Sequence, residues 1–379
     1  MAVKHSRSVR PGVIPRRLDR LAPAPALVDW AILLLVGLEV GSGLVSLTVG
    51  TPDWGWLFVL HAVGGVTLVA LLFWKFRRVR RRVTDRSLWD GGTPVSVGLA
   101  TLAVTALATG LAWTALGVVR VGPYTLLTGH MVVGLLVVPA LLWHLRYRFR
   151  LPRRRRLDGR RETLRFVALG LGGAVAWRLA EAGTALLDLA GADSRFTGSS
   201  DAAGGAGNDY PVTMWLADDP EPVDVETWRL QVDGAVEYPQ SFAHDDLVAS
   251  GGDEEGHDRG SERAVLDCTS GWYAEREWAG VRVGDMLEAV GTTEEARWVR
   301  FSSVTGYRWS LPIAEARDAL LATHVGGERL SHGHGAPLRL VAPGRRGFQW
   351  VKWVQRVEVR RSRDLAQWAV IFTSGLQSP

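Results

Sequence analysis

The chain has 379 residues, with 44 Lys+Arg, 39 Asp+Glu and one cysteine. That length suggests two or three folded units, and a lone cysteine excludes an internal disulfide, so folding needs no oxidising compartment. The net charge of +5 joins two unlike halves: residues 1–195 carry 26 Lys+Arg against 11 Asp+Glu, and residues 196–379 carry 18 against 28. The basic half also holds the long apolar runs, so its charge suits lipid headgroups, and no basic stretch interleaved with aromatic residues points to nucleic acid.

Residues 1–26 are basic and proline-rich. Four apolar segments follow, Leu27–Gly50, Gly55–Trp74, Pro94–Val119 and Gly122–Leu145. Each is long enough to cross a hydrocarbon core of roughly 30 Å as a helix. A fifth, Leu164–Ala190, is interrupted by Arg178 and Glu181, whose spacing of three lets them pair on one helix face. "KFRRVRRR" follows the second segment and "RYRFRLPRRRR" the fourth, whereas the turns after the first and third carry almost no positive charge. The positive-inside rule then puts the N-terminus and both basic loops in the cytoplasm, and a fifth crossing puts everything after Ala190 outside it.

The first four segments read as two copies of one hairpin. "HAVGGVTLVALLFWKFRR" begins at His61 and "HMVVGLLVVPALLWHLRYR" at His130, 69 positions later. Trp74 and Arg77 match Trp143 and Arg146, and upstream Gly43-Leu44 matches Gly110-Leu111. Such a duplication sets His61 and His130 at the same depth near the outer face. Two histidines so placed can ligate one haem iron from opposite sides; the alternative is hydrogen bonding across helices or a place at headgroup level. His144 lies 14 residues after His130, about 21 Å along the helix and nearly on the same face. That suits a second, inner haem, but its counterpart in the first repeat is Lys75. Glu39 and Lys75 are candidates for handling protons or quinone. Residues 27–150 resemble the membrane cytochrome b family of the b561 and ferric-reductase-like type, which implies haem b and exchange with quinone or quinol.

Ahead of the fifth segment, Arg160-Arg161-x-x-Leu164-Arg165 resembles a twin-arginine export signal, with Thr163 where a large apolar residue is usual. The alternative is a plain stop of positive charge at a helix end. Ser194–Asn208, "SRFTGSSDAAGGAGN", is expected to be a linker. From about Tyr210 the composition is that of a soluble, β-rich domain. Short alternating runs, "WRLQVDGAV", "RAVLDC", "RWVRFSSV", "PLRLVAP" and "VKWVQRVEV", are punctuated by Gly and Pro, with short helices expected at Val283–Val290 and Ile313–Ala322. The stretch 251–263 is acidic and reads as an exposed loop.

Cys268 sits in "AVLDCTSGWYAEREWAGV". A lone cysteine is buried filler, a nucleophile or a soft metal ligand. His324, His332 and His334 lie downstream as possible bases or zinc ligands, although their spacing fits no common zinc pattern. "WRLQVDGAVEYP", "LDCTSGW" and the run from Gly306 to Val359, with "HGAPLRLVAPG" and "VKWV", resemble the sulfite-oxidase-type molybdopterin oxidoreductases over most of 210–360. The resemblance implies that Cys268 is the thiolate ligand of molybdenum. It also implies that Ser303, His334, Arg339, Trp350, Val351 and Lys352 contact the pterin and its phosphate, with Asn208 and Tyr210 as a looser upstream match. Arg339 and Lys352 are the residue types an anionic cofactor needs. Sulfite oxidases gather arginines round the sulfite anion, one of them soon after the ligand cysteine. Here Tyr273 stands at that position and the first arginine is Arg276, which favours a neutral sulfoxide as substrate and makes Tyr273 a candidate for substrate choice.

The expected architecture is multidomain. An all-α transmembrane bundle of 4+1 helices, divided as 1–26, 27–150 and 151–193, precedes a linker at 194–209 and an α+β, β-rich sulfite-oxidase-type molybdopterin domain at 210–379. The expected activity is oxygen-atom transfer outside the cytoplasm at the cell membrane, with electrons exchanged through haem b. The rivals are a sulfite dehydrogenase and a non-enzymatic membrane receptor with a metal-free β domain.

Overall fold

The computed structural model describes residues 23–122, 124–149, 160–214, 218–250, 260–371 and 373–375. The basic N-terminal tail, most of the second basic loop and the acidic stretch 251–259 lie outside the described residues.

Among the described residues, five helices are long and apolar enough to cross a membrane: α1 (Pro25–Ser46), α2 (Gly55–Thr84), α3 (Thr93–Leu116), α4 (Leu126–Arg148) and α5 (Arg160–Leu186). They form because their runs are apolar on nearly all sides, so no single polar stripe sets a face. Many of those side chains stay exposed, among them Leu34, Leu142, Leu171 and Leu179. On α5, Arg178 donates to Glu181 at 2.9 Å, the pairing that the spacing of three predicted.

The chain divides into two compact units. The first comprises Met1–Gly43, Val59–Ala108 and Met131–Gly183. Its helices approach closely at small residues: a Cβ on Gly64 would lie 2.0 Å from Glu39 Oε1, and one on Gly173 would lie 2.1 Å from Thr67 Oγ1. Ion pairs close the ends carrying the basic loops. Lys75 and Arg78 reach Asp29, and Arg148 reaches Asp90.

The second unit, whose strands begin with the short antiparallel pair β1 (Arg120–Val121) and β2 (Tyr124–Thr125), comprises Leu44–Phe58, Thr109–His130 and Thr184–Pro379. This departs from the predicted division at 150, 193 and 209, because two short stretches of the helical half pack with the β-rich half. The predicted linker is also not free-running. It contains β3 (Ser200–Asp201), which pairs in parallel with Trp272 and Tyr273 of β7 (Trp272–Arg282), and Ser199 is fully buried. Hydrogen bonding of its small polar side chains outweighs the flexibility its composition suggests.

Two sheets carry this unit. One joins β7 to β3, β6 (Ser261–Cys268) and β10 (Leu320–Val325), with β11 (Glu328–Arg329) and β12 (Arg339–Val341) on the far side of β10. The other runs β5 (Gln240–Ala243), β4 (Arg229–Gly234), β13 (Val354–Arg360), β8 (Trp298–Ser303), β9 (Arg308–Pro312). Helix α7 spans Val283–Val290 as predicted; α6 is His244–Ser250. Helix α8 ends at Asp318, four residues short of the expectation, because Leu320–Val325 is almost wholly buried and extended as a strand. The core is rich in tryptophan, with Trp278, Trp309, Trp350 and Trp353 fully buried.

Candidate active site

Cys268 ends β6 and is buried, with its Sγ 3.0 Å from Ser270 Oγ. The hairpin register sets it opposite Trp272. Alternation along β7 sends Trp272, Ala274, Arg276 and Trp278 to one buried face and Tyr273, Glu275 and Glu277 to the other. The Cys268 face is also that of Tyr210, whose ring lies 6.0 Å from Trp272 and 6.1 Å from Trp278.

A series of cations and rings lines this face. Arg339 begins β12, is 3% exposed, and lies 5.6 Å over Trp278 and 6.0 Å over Trp350. One guanidinium nitrogen donates to the His334 carbonyl at 2.7 Å, while Nε has no partner among the described residues. Burial pulls the Arg339 pKa down; the Tyr210 and Cys268 side chains oppose it, and no carboxylate does. Isolating a guanidinium in this way costs several kcal/mol unless an anion joins it. Lys352 donates to the carbonyls of Thr213 and Gly333 at 3.0 and 2.6 Å. Burial, seconded by Arg339, pushes its pKa down to about 7, against the pull of Cys268, Asp218 and Asp219.

The His334 ring lies against Tyr210 with ring centres 3.9 Å apart and planes tilted by 45°. Its Nε2 lies 3.0 Å from the Tyr210 carbonyl, so Nε2 carries the proton, and its Nδ1 accepts from Ser331 Oγ at 2.7 Å. Burial drops its pKa to about 4, so it is neutral at ordinary pH. Asn208 ties this region together, accepting from Ser331 N at 2.9 Å and donating to the Arg329 carbonyl at 2.9 Å. Trp350 is fixed through its indole N–H to the Arg345 carbonyl, and the Val351 carbonyl accepts from Leu340 N. Gly335 takes a φ of 110°, and a Cβ there would press on Lys352 at 3.1 Å.

The structure thus brings Cys268, Tyr210, His334, Arg339, Trp350 and Lys352 to one region. Ser303 is buried but accepts from Thr305, keying its own turn. Tyr273 is on the other face of β7, where the Arg195 guanidinium lies 5.0 Å over its ring. Nor do the three downstream histidines gather: His324 bonds Thr323 and His332 bonds the Pro220 carbonyl. Among the described residues no cluster of three His, Cys, Asp or Glu could hold a metal. A cleft of about 610 Å³ lies against Arg263, Glu275 and Gly326 and does not include Cys268.

Sequence reasoning missed Asp267, Arg346 and Arg195. Asp267 is 2% exposed and accepts from Thr197 and Ser199 at 2.8 and 2.7 Å. Arg346 and Arg195 flank it at 3.4 and 3.5 Å. Arg346 also donates to the Cys268 carbonyl at 3.3 Å. Only the buried carboxylate directly before the cysteine in "LDC" could have signalled this network. Arg339, Arg346 and Lys352 all interact electrostatically with Cys268.

In the helices, His61 Nδ1 lies 2.9 Å from Ser42 Oγ and 3.2 Å from Glu39. His130 Nδ1 lies 3.5 Å from Thr109 Oγ1. The next residue in each case is glycine, and a Cβ on Gly43 or Gly110 would lie 3.5 or 3.0 Å from the ring carbon Cε1. Both repeats therefore use a hydroxyl to orient the imidazole and a glycine to make room for it. His144 Nδ1 is 3.1 Å from Ser96 Oγ, while its counterpart Lys75 is ion-paired with Asp29 at 2.7 Å.

The family profile "Oxidoreductase molybdopterin binding domain" matches residues 217–368. The chain is 30% identical over 162 residues to the "Uncharacterized oxidoreductase YuiH" of Bacillus subtilis, a span covering 42% of this chain and 78% of that one.

The chain belongs to the molybdopterin-binding oxidoreductases.

This molybdopterin-binding oxidoreductase is also 33% identical over 150 residues to the "Protein-methionine-sulfoxide reductase catalytic subunit MsrP" of Xanthomonas axonopodis pv. citri, covering 35% of this chain and 44% of that one. It is 29% identical over 171 residues to the mitochondrial sulfite oxidase of Rattus norvegicus, covering 38% and 31%. It thus spans less than half the length of these last two relatives. Membership overturns the metal-free receptor alternative.

Proposed function

We propose that this oxidoreductase is a membrane-anchored molybdenum enzyme that transfers an oxygen atom outside the cytoplasm. A substrate XO would be reduced to X and water with two electrons that quinol delivers through the helical half and two protons taken up at the site, matching the two protons that quinol releases on oxidation; the reverse direction uses the same residues. The observation that carries this reading is the gathering of Arg339, Arg346 and Lys352 round Cys268: Asp267 answers Arg346 and Asp218 answers Lys352, while among the described residues no carboxylate answers the buried Arg339.

That arrangement fits an anionic pterin cofactor. Cys268 would hold molybdenum as a thiolate, the soft ligand such a metal takes, and the metal would supply the two-electron chemistry. The unpaired Nε of Arg339 and the ammonium of Lys352 would bind the cofactor's phosphate and pterin edge. Trp350, Val351, His334, Tyr210, Asn208 and Ser303 would shape and order its cradle. His334, neutral and locked between Ser331 and Tyr210, serves as a fixed donor and acceptor and does not shuttle protons.

His61 and His130 would hold one haem b, which supplies one-electron transfer. Their Nδ1 atoms, engaged by Ser42 and Thr109, suit ligation through Nε2. The Lys75–Asp29 pair opposite His144 favours one haem over two. The matched pattern equally supplies hydrogen bonds across helices, so the haem has its own test below. Glu39, a carboxyl inside an apolar helix, marks this as a functional depth.

The sulfoxide reading rests on Tyr273 and on the likeness to MsrP. Arg195 favours the second reading, a sulfite dehydrogenase, because it brings an arginine over Tyr273 from a different part of the chain. Metal-replete protein is to be assayed with sulfoxides, N-oxides and sulfite. Turnover of sulfoxide, unchanged by Arg195→Ala, upholds the first reading. Sulfite turnover that Arg195→Ala abolishes upholds the second.

A further inference from the structure

Within the second unit, the stretch 109–130 packs directly on the turn that follows Cys268. Thr125 Oγ1 donates to the Ser270 carbonyl at 2.8 Å. Its oxygen also accepts from Thr128 N at 3.2 Å, capping α4. The Trp113 indole donates to the Gly198 carbonyl at 2.8 Å, and its ring covers Gly271. A Cβ on Gly271 would lie 2.2 Å from that ring and 3.2 Å from Leu127, and the residue's φ of 96° independently requires glycine. Ser270 is the residue whose hydroxyl lies 3.0 Å from Cys268 Sγ. Gly271 N closes the turn on the Cys268 carbonyl at 3.0 Å, the same carbonyl that Arg346 holds from the other side.

The thiol-bearing turn is therefore held twice. Arg346 and Asp267 hold it from within the β-rich fold, and Thr125 and Trp113 hold it from the ends of α3 and α4. We propose that Thr125 and Trp113 are positioning residues for Cys268, acting through Ser270 and Gly271, so that the helical half sets the thiol's orientation and exposure. Here a hydroxyl that already caps α4 spends its one proton on a carbonyl two residues from the thiol. Its relevance to metal chemistry rests on Cys268 being the molybdenum ligand; the contact itself does not.

The chain's single thiol makes the test direct. In full-length, cofactor-free protein in detergent, the rate of alkylation of Cys268 by N-ethylmaleimide is followed by intact mass. Thr125→Val speeds labelling about fivefold, the factor that one lost hydrogen bond allows. Trp113→Phe, which loses both the indole donor and the ring atoms over Gly271, also speeds it. Thr125→Ser restores the parent rate, and Thr128→Ala, which perturbs the same helix end without touching Ser270, leaves it unchanged. Equal rates for Thr125→Val and parent overturn the proposal, as does a rise in Thr128→Ala as large as that in Thr125→Val. In metal-loaded protein, Thr125→Val shifts the thiolate-to-metal charge-transfer absorption at unchanged molybdenum content; an unmoved band also overturns it. If the parent holds no molybdenum at all, the functional reading fails, and thiol labelling still decides the positioning role.

Discussion

The helices and the β-rich unit treat polar groups in opposite ways. In the helices they stand dispersed among apolar residues, as in the contacts of His61 with Ser42 and Glu39, His130 with Thr109, and Lys75 with Asp29. In the β-rich unit charge is concentrated, with buried Arg339 and Arg346 and half-buried Lys352 near one thiol. An ionisable residue in an apolar helix is conspicuous because a bilayer penalises it. A cation in a soluble fold is ordinary until burial without a carboxylate makes it costly. Function is thus announced by residue type in the first region and by environment in the second.

The largest expected effect separates the two regions outright. Cys268→Ser should eliminate bound molybdenum, measured by elemental analysis, and all turnover, while sparing any haem spectrum. Full metal retention would end the molybdenum reading. Conversely, His61→Ala or His130→Ala should each abolish the reduced-minus-oxidised b-type spectrum and leave the molybdenum content intact. A spectrum that survives both would reduce the repeat to structural hydrogen bonding.

Smaller effects sharpen the β-rich side. Arg339→Met removes a charged donor and should weaken cofactor retention about 10- to 100-fold, read as pterin lost on dilution. Lys352 gives a pH signature. Its pKa of about 7 in the fold, against about 10 for an unfolded lysine, means the unfolded chain binds the extra proton between those values. Stability of the cofactor-free protein should therefore rise with pH from about 7 to about 10, and Lys352→Met should flatten that slope in thermal melts. The smallest effect is expected of Tyr273→Phe. Its ring keeps the Arg195 contact, and turnover of either substrate class should stay within about twofold, as for a substitution outside buried networks.

The parts legible from sequence were those with a local signal. Apolar runs of twenty residues or more gave five helices, and period-two runs gave most strands. The cysteine and the "HGAPLRLVAPG" segment pointed to a site region. The stretch 194–209 was misread because its Gly/Ser composition says nothing about Asp267, the distant acceptor that Thr197 and Ser199 bond. Helix α8 was overextended because Leu320–Val325 has helix-compatible residues, yet they are buried between β7 and β12 as strand β10. Tyr273 occupies the position where the resemblance puts an arginine beside the ligand cysteine, whereas the β6–β7 register alternates faces and sets it opposite Asp267.

By itself the sequence determined the division into an apolar helical half and a β-rich half, the matched histidines and the identity of the thiol, because periodicity and residue type act locally. Only the tertiary structure decided that Arg339 is buried without a carboxylate, that Asp267 and Arg346 flank the Cys268 peptide, and that Thr125 and Trp113 bear on its turn. Those facts depend on contacts between residues five to 145 positions apart, and no local pattern encodes them.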